Sequence, residues 1–457
     1  MLEAQRLSAL ITPLSAKLVG DDVAFAAVST DSRAIAPGQL FVALSGPRFD
    51  GHDYLSEVAA KGAVAALVER RVAEVELPQL VVDDARSALG QLGALSRAAF
   101  TGPLVAITGS SGKTSVKEML ANILRAAHGA DAVLATRGNL NNELGVPLTL
   151  LELAPQHQAA VIELGASGLG EIAYTVSLAR PDVSLITNAG TAHVGEFGGP
   201  DKIVEAKGEI LDGLSAKGIA VLNRDDPAWA VWHQRAAGKR VLSFSLADTQ
   251  ADFYSKAIGQ DARGCVNFTL VGLGGSMPVQ LNLLGRHNIA NALAAAAAGH
   301  AVGVTPEHVV AGLQALQPVA GRGVAQMLSN GVRLIDDSYN ANPASIRAAT
   351  DVLAGFPGRT LLVLGDMGEL GGWAEQSHAE VGRYAAGKID ALLAVGPLMK
   401  HAVEAFGAGG RHFADQQELI EALRLEQGNT TILIKGSRRA AMDKVVAALG
   451  ESAREKH

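Results

Sequence analysis

Short, almost unbroken apolar runs recur along this chain, separated by longer stretches whose apolar residues return at helical spacing. Four runs fall at 104–107 (LVAI), 159–164 (AAVIEL), 183–187 (VSLIT) and 219–222 (IAVL). Runs apolar on both faces and joined by helices predict a mostly parallel sheet with crossover helices. The same rhythm returns at 332–335, 360–364, 391–395 and 431–434. Residues 1–100 read as a smaller α/β unit, with β-like runs at 39–44 and 80–82 and a helical pattern over 54–68. Turn chemistry at Thr101-Gly102-Pro103 and at Gln317-Pro318 marks two boundaries. The expected fold is α/β with three domains, 1–100, 101–316 and 317–457. The middle one is a mostly parallel sheet and the last a Rossmann-like α/β unit.

Composition agrees with that division. A chain of 457 residues suggests roughly three domains. An apolar fraction of 48% with 19% charged residues excludes a disordered protein. The formal charge of −7 argues against broad nucleic-acid or anionic-membrane surfaces. With a single cysteine, Cys265, the chain has neither an internal disulfide nor a multi-cysteine zinc site. The longest membrane-like run, the Ala-rich 292–304, is too short to span a bilayer. The N-terminus lacks the basic start and apolar core of a signal peptide, so a cytoplasmic location is expected.

Parallel sheets bind ligands beyond the carboxyl ends of their strands. The strongest motif lies at such a place: the run at 104–107 leads into Thr108-Gly109-Ser110-Ser111-Gly112-Lys113-Thr114, and a helical pattern follows. Glycines turn backbone N–H groups inward, the helix N-terminus adds positive dipole, and Lys113 adds a point charge. The Thr114 hydroxyl is placed to hold Mg²⁺ beside the β- and γ-phosphates of a nucleotide triphosphate. Ile107 stands where the longer form of this motif has its first glycine. No GxGxxG follows the C-terminal runs, so no dinucleotide cofactor is expected.

Other polar residues follow the remaining strands, each with two readings. Glu163 is either a Mg²⁺ ligand or a solvated loop carboxylate. His193, in NAGTAHVGEFGG, is either structural or a ligand. In the helical pattern Asp201–Ser215, Lys207 falls inside the apolar stripe of Ile203, Ile210, Leu211 and Leu214. Its head either snorkels to water or, buried and neutral, reacts with CO₂ to form a metal-binding carbamate. Asn288 and Asn291 share a helix face and either read an adenine edge or cap the helix. Arg322 is a surface residue or neutralises a transferring phosphate. The loops DDSYNANP (336–343) and LGDMGELG (364–371) are site-forming or simple turns.

Taken together and in order, TGSSGKT (108–114), Glu163, TNAGTAHVGEFG (187–198), EAKGEI (205–210), GRHNIANALAA (285–295), Gly321-Arg322 and DDSYNANP resemble the Mur ligases, the ATP-dependent amide-forming enzymes of peptidoglycan precursor synthesis. STDSRAIAPGQLFVALSG (29–46) with FDGH (49–52) is similar to the family's uridine-nucleotide unit. GNLNNELGVPLTLL (138–151), DDSYNANPAS and LGDMGELG point to the type that adds D-alanyl-D-alanine to UDP-N-acetylmuramoyl-tripeptide. The resemblance therefore implies that reaction, through an acyl phosphate and a tetrahedral intermediate, in a monomer that serves wall growth and division. It implies that Thr108–Thr114 hold ATP, that Thr114, Glu163, His193 and a carbamylated Lys207 hold magnesium, and that Lys113, His193, Lys207 and Arg322 act in catalysis. Asn288, Asn291, Arg322 and Asp337 match nucleotide contacts. Ser32 and Arg33 match the uridine-nucleotide region. Asn139, Asn142, Tyr339, Asn340 and Asn342 match contacts for the peptide and the incoming dipeptide, and Lys435–Arg438 adjoin them. Ser110 departs from the threonine of many relatives, and of Asp336 and Asp337 the second has the better position. The rival activities are the preceding ligase, which adds a diamino acid, and a folate polyglutamate ligase. A nucleotide-binding regulator without turnover is the rival from another class. Joints near 101–103 and 315–322 are expected to permit domain closure over substrates.

Overall fold

The runs of apolar residues become strands of three sheets in the computed structural model, which describes residues 3–190, 194–261, 263–272 and 274–454. The first sheet has five strands in the order Lys17–Val19, Gln79–Val81, Ala65–Val68, Gln39–Val42, Ala27–Ser29. Only its first pair is antiparallel. The helical expectation over 54–68 fails here. The chain makes a helix at Leu55–Ala60, turns at Gly62 (φ +96°) and enters the fully buried strand Ala65–Val68. A glycine past the last helical turn stops a helix, and a short apolar run carries no period to separate helix from strand.

The second sheet has nine strands. Leu104–Thr108 lies at its heart, parallel to Ala159–Glu163 on one side and to Val183–Ile186 on the other. The chain first crosses to the edge strand Val133–Ala135 and then returns, so the strand order reverses at the phosphate loop. Three longer strands, Phe253–Gln260, Cys265–Gly272 and Gly275–Leu284, extend the sheet as an antiparallel ribbon. The Ala-rich helix His287–Ala301 is buried along almost its whole length between this sheet and the helix Lys113–His128. Small side chains allow that close approach. Among the described residues no helix is long and apolar enough to cross a membrane.

The third sheet has six strands, ordered Val324–Met327, Arg333–Asp337, Thr430–Lys435, Arg359–Gly365, Ala391–Val395, Gly410–Phe413. All pairs but the first are parallel. The last strand in sequence, Thr430–Lys435, inserts between Arg333–Asp337 and Arg359–Gly365, which opens a second crevice at the carboxyl ends of Arg333–Asp337 and Thr430–Lys435.

Two seams join these sheets. The helix Ala85–Ala99 packs on helices Gly145–Leu151 and Glu171–Ala179. Arg97, buried there, donates to the carbonyls of Ala179 (2.8 Å), Phe100 (3.0 Å) and Arg180 (3.1 Å) and to Asp182 (3.0 Å). The turn at 101–103 is thus braced rather than loose. At the other seam, Val194, Phe197, Ile203 and Leu284 share one apolar cluster with Ile335, Met367 and Leu370. The backbones meet closely, since a β-carbon on Gly195 would lie 2.5 Å from Gly371 N.

Candidate functional site

A cleft of about 1400 Å³ opens where the second and third sheets face each other. The phosphate loop forms its floor. Gly109 (φ +144°) and Gly112 (φ +80°) hold conformations that side chains disfavour. A β-carbon on Gly109 would strike the Thr187 hydroxyl, and one on Gly112 would sit 2.5 Å from Asn291 Oδ1. Lys113 Nζ folds over the loop, 2.7 Å from Gly109 O. Burial lowers its pKa, with Glu163 opposing and Arg322 adding to the shift. Thr108 is fully buried and its hydroxyl donates to Leu164 O (2.8 Å), so this side chain braces the strand end from behind.

Thr114 is the junction of the site. Its hydroxyl donates to Glu163 Oε2 (3.0 Å) and accepts from Arg322 Nη2 (3.3 Å). Glu163 is 2% exposed. Its other oxygen accepts from Asn141 Nδ2 (2.9 Å), and its backbone N–H donates to the Thr136 hydroxyl (2.9 Å). A buried, anchored carboxylate beside a hydroxyl offers hard oxygen donors that fit Mg²⁺. The solvated-loop reading of Glu163 does not hold.

The loop after Val183–Ile186 clamps the phosphate loop. Asn188 Oδ1 accepts from Ser111 N (3.1 Å) and from the Ser111 hydroxyl (3.2 Å), while its Nδ2 donates to Ser111 O (3.0 Å). Thr187 Oγ1 donates to the same carbonyl (2.6 Å), and Ser110 donates through its hydroxyl to Ala189 O. Asn223 and Asp226 hold the clamp from outside, through Thr187 O (3.0 Å) and Ala189 N (2.8 Å). His193 lies outside the described residues.

Lys207 is 1% exposed on the helix Pro200–Gly208, with Nζ 5.1 Å from the Phe197 ring centre. It is not among the residues that line the cleft. Burial, aided by the positive charge of Lys113 and opposed by Glu171 and Glu209, pushes its pKa down to about 7. The snorkelling alternative is thereby removed. The expected helix to Ser215 also stops early, tightening at Glu209–Leu211. Glu209 there accepts from Gly170 N (2.7 Å) and Ala173 N (2.9 Å), satisfying the first turn of the helix Glu171–Ala179.

From above, Asn288 and Asn291 face the loop from the start of their helix. Asn291 Nδ2 donates to Asn288 Oδ1 (3.0 Å), and Asn288 Nδ2 donates to Leu284 O (2.9 Å). On the third sheet, Lys435 is 4% exposed and donates to Asp337 Oδ2 (2.7 Å) and Asn340 O (2.8 Å). Asp336 instead accepts from Ser338 N (3.1 Å) and its hydroxyl (2.6 Å), which leaves Asp337 as the carboxylate of the cleft wall. Tyr339, Asn340 and Asn342 line the same wall; Asn342 also caps the helix Pro343–Ala354. Asn139 and Asn142 line the opposite wall, where Asn142 accepts from Gly145 N (2.9 Å).

Ser32 and Arg33 are not brought into this cleft. Arg33 forks onto Asp31 (2.9 and 2.8 Å) and holds its pKa down to about 2, while Ser32 O accepts from Lys61 (2.9 Å). Sequence reasoning missed Asn141, Thr187, Asn188 and Asp226. The first three lie inside motifs already singled out, one or a few positions from residues that were chosen.

Three family models match this chain: the Mur ligase family catalytic domain at residues 24–97, the Mur ligase middle domain at 107–299, and the Mur ligase glutamate ligase domain at 321–438. The UDP-N-acetylmuramoyl-tripeptide–D-alanyl-D-alanine ligase of Escherichia coli K12 is 48% identical, over 98% of each chain. That of Bacillus subtilis is 34% identical over 93% of each. A crystal structure of MurF from Acinetobacter baumannii superposes with a TM-score of 0.92 at 39% identity, covering 98% of this chain and 99% of that one. MurF from Thermotoga maritima in complex with ADP gives 0.85 at 28% identity, covering 94% and 98%. The chain belongs to the Mur ligase family, in company with the MurF enzymes that it matches from end to end.

Proposed function

We propose that this protein joins D-alanyl-D-alanine to UDP-N-acetylmuramoyl-tripeptide, driven by ATP, to complete the peptide of a peptidoglycan precursor. The observation that carries the reading is the meeting at Thr114. There the phosphate loop, the buried Glu163 and Arg322 of the third sheet converge within hydrogen-bond reach. The acceptor comes from the relatives, which share this sequence over nearly its full length.

The chemistry follows from the charges present. A carboxylate resists amine attack because oxide does not leave. Transfer of the γ-phosphoryl group to it makes an acyl phosphate, which expels phosphate through a tetrahedral intermediate once the dipeptide amine attacks. Backbone N–H groups of Gly112, Lys113 and Thr114, the dipole of the helix behind them and the Lys113 ammonium hold the triphosphate. Arg322 spreads the charge of the moving phosphoryl group. Thr114 and Glu163, with His193, would hold Mg²⁺, which supplies Lewis-acid charge to the phosphates. The Lys207 amine, its pKa lowered by burial, would add to CO₂ with loss of a proton, and the resulting anionic carbamate would be able to hold a second cation. In this reading residues 1–100 take the uridine nucleotide at Ser32 and Arg33, 101–316 take ATP, and 317–457 take the dipeptide. The enzyme acts as a cytoplasmic monomer.

Inorganic phosphate release, measured with each amine in turn, tests the proposal. Release that requires D-alanyl-D-alanine is expected. Equal release with a free diamino acid overturns it.

A further inference from the structure

Arg322 reaches Thr114 with a single 3.3 Å contact, long for a hydrogen bond and weak alone. A free arginine side chain samples many rotamers, so something must hold it. The Tyr339 ring does: the guanidinium carbon lies 4.4 Å from the ring centre. The same residue fastens the turn that carries Arg322. Tyr339 N donates to Gly321 O (3.1 Å), and Gly323 N donates to Asp336 O (2.8 Å). Gly321 (φ +73°) leaves space that a β-carbon would take, 3.1 Å from Tyr339 Cβ. Arg438 stands 5.9 Å from the ring.

We propose that Tyr339 is a positioning residue, whose ring face holds Arg322 at the phosphate loop and so ties the third sheet to phosphoryl transfer. The proposal deepens the ligase reading and rests on it. The ring face, rather than the hydroxyl, makes this contact. A cation above an aromatic face gains attraction and loses few further rotamers.

The test compares kcat and both KM values in Tyr339→Phe, Tyr339→Ala, Arg322→Ala and the double variant Tyr339→Ala/Arg322→Ala. Tyr339→Ala should lower kcat about threefold to thirtyfold, the range of one cation–π contact, with the KM for D-alanyl-D-alanine unchanged. Tyr339→Phe should stay within about twofold, and Tyr339→Ala should add almost nothing once Arg322 is gone. Phe as damaging as Ala, additive losses, or a loss confined to the dipeptide KM each overturn the proposal. A wild-type protein that releases no phosphate with any acceptor refutes the ligase reading instead. The stack is then read by calorimetry with a nonhydrolysable ATP analogue. Weakening by Tyr339→Ala that does not exceed that of Arg322→Ala and vanishes in the double variant, with none by Tyr339→Phe, supports it; weakening by Tyr339→Ala that persists without Arg322 overturns it.

Discussion

Replacing Asn188 by alanine should weaken ATP binding without unfolding the protein. The side chain makes three contacts to Ser111, at 3.1, 3.2 and 3.0 Å. A typical net hydrogen bond contributes about 1 kcal/mol. The Ser111 carbonyl keeps its 2.6 Å bond from Thr187, so the loss is nearer two bonds than three. Roughly 1–2 kcal/mol of preorganisation disappears, which corresponds to about fivefold to thirtyfold weaker binding. Asn188→Asp is the sharper probe. It keeps the acceptor and the shape but turns the donor into an acceptor and brings a negative charge towards the triphosphate. At an effective dielectric near 20, one such like-charge contact within the cleft costs on the order of 2 kcal/mol more. Titration calorimetry with ATP and Mg²⁺ reads both variants, and thermal melts check folding. The clamp argument is wrong if the alanine variant binds ATP within twofold of the native chain, or if aspartate and alanine behave alike.

Four further outcomes are expected. Lys113→Ala should abolish phosphate release, and near-normal turnover would remove the phosphate loop from the mechanism. Lys207→Ala should lose most activity and regain part of it with acetate. For the unmodified lysine, a folded pKa near 7 against 10.5 unfolded means the unfolded chain holds the extra proton between those values, so stability should rise as pH climbs from 7 towards 10. Lys207→Met should therefore stabilise the protein at pH 6.5 by up to a few kcal/mol, with the gain fading in alkali; a pH-independent melting difference would refute this. Arg97→Met strands three carbonyls and should lower unfolding stability by roughly 2–4 kcal/mol in urea titrations; a shift under about 0.5 kcal/mol would show that the first seam does not depend on that cation.

Much of the site is legible in the sequence because it sits where strands end. The phosphate loop and Glu163 follow adjacent strands of one sheet, and the residue just after a buried run is placed by the run itself. Positions inside irregular loops have no such ruler. In GNLNNELG the sequence suggests Asn139 and Asn142, yet Asn141 holds Glu163, a difference of one or two residues that no period sets. Asn188 was hidden similarly, since its partner Ser111 is distant in sequence. Two helical patterns failed for different reasons: Gly62, at φ +96°, turns the chain out of Leu55–Ala60 into a strand, whereas Gly208 keeps helical dihedrals (φ −63°) and the chain only tightens into the 3-10 turn Glu209–Leu211. The stacking of Arg322 on Tyr339 could not be read at all, because it depends on how two turns lie against one another.

The apolar cluster under the second seam constrains how this molecule can breathe. Phe197, Met367 and Leu370 are almost fully covered there. Prying the two sheets apart would wet several large side chains at once, on the order of 10 kcal/mol. Separation at this seam therefore costs apolar burial, whereas a small sliding of the packed faces keeps most of it. Severing the polypeptide at residue 316 would leave two sticky remnants, each bearing hydrocarbon that belongs against the other.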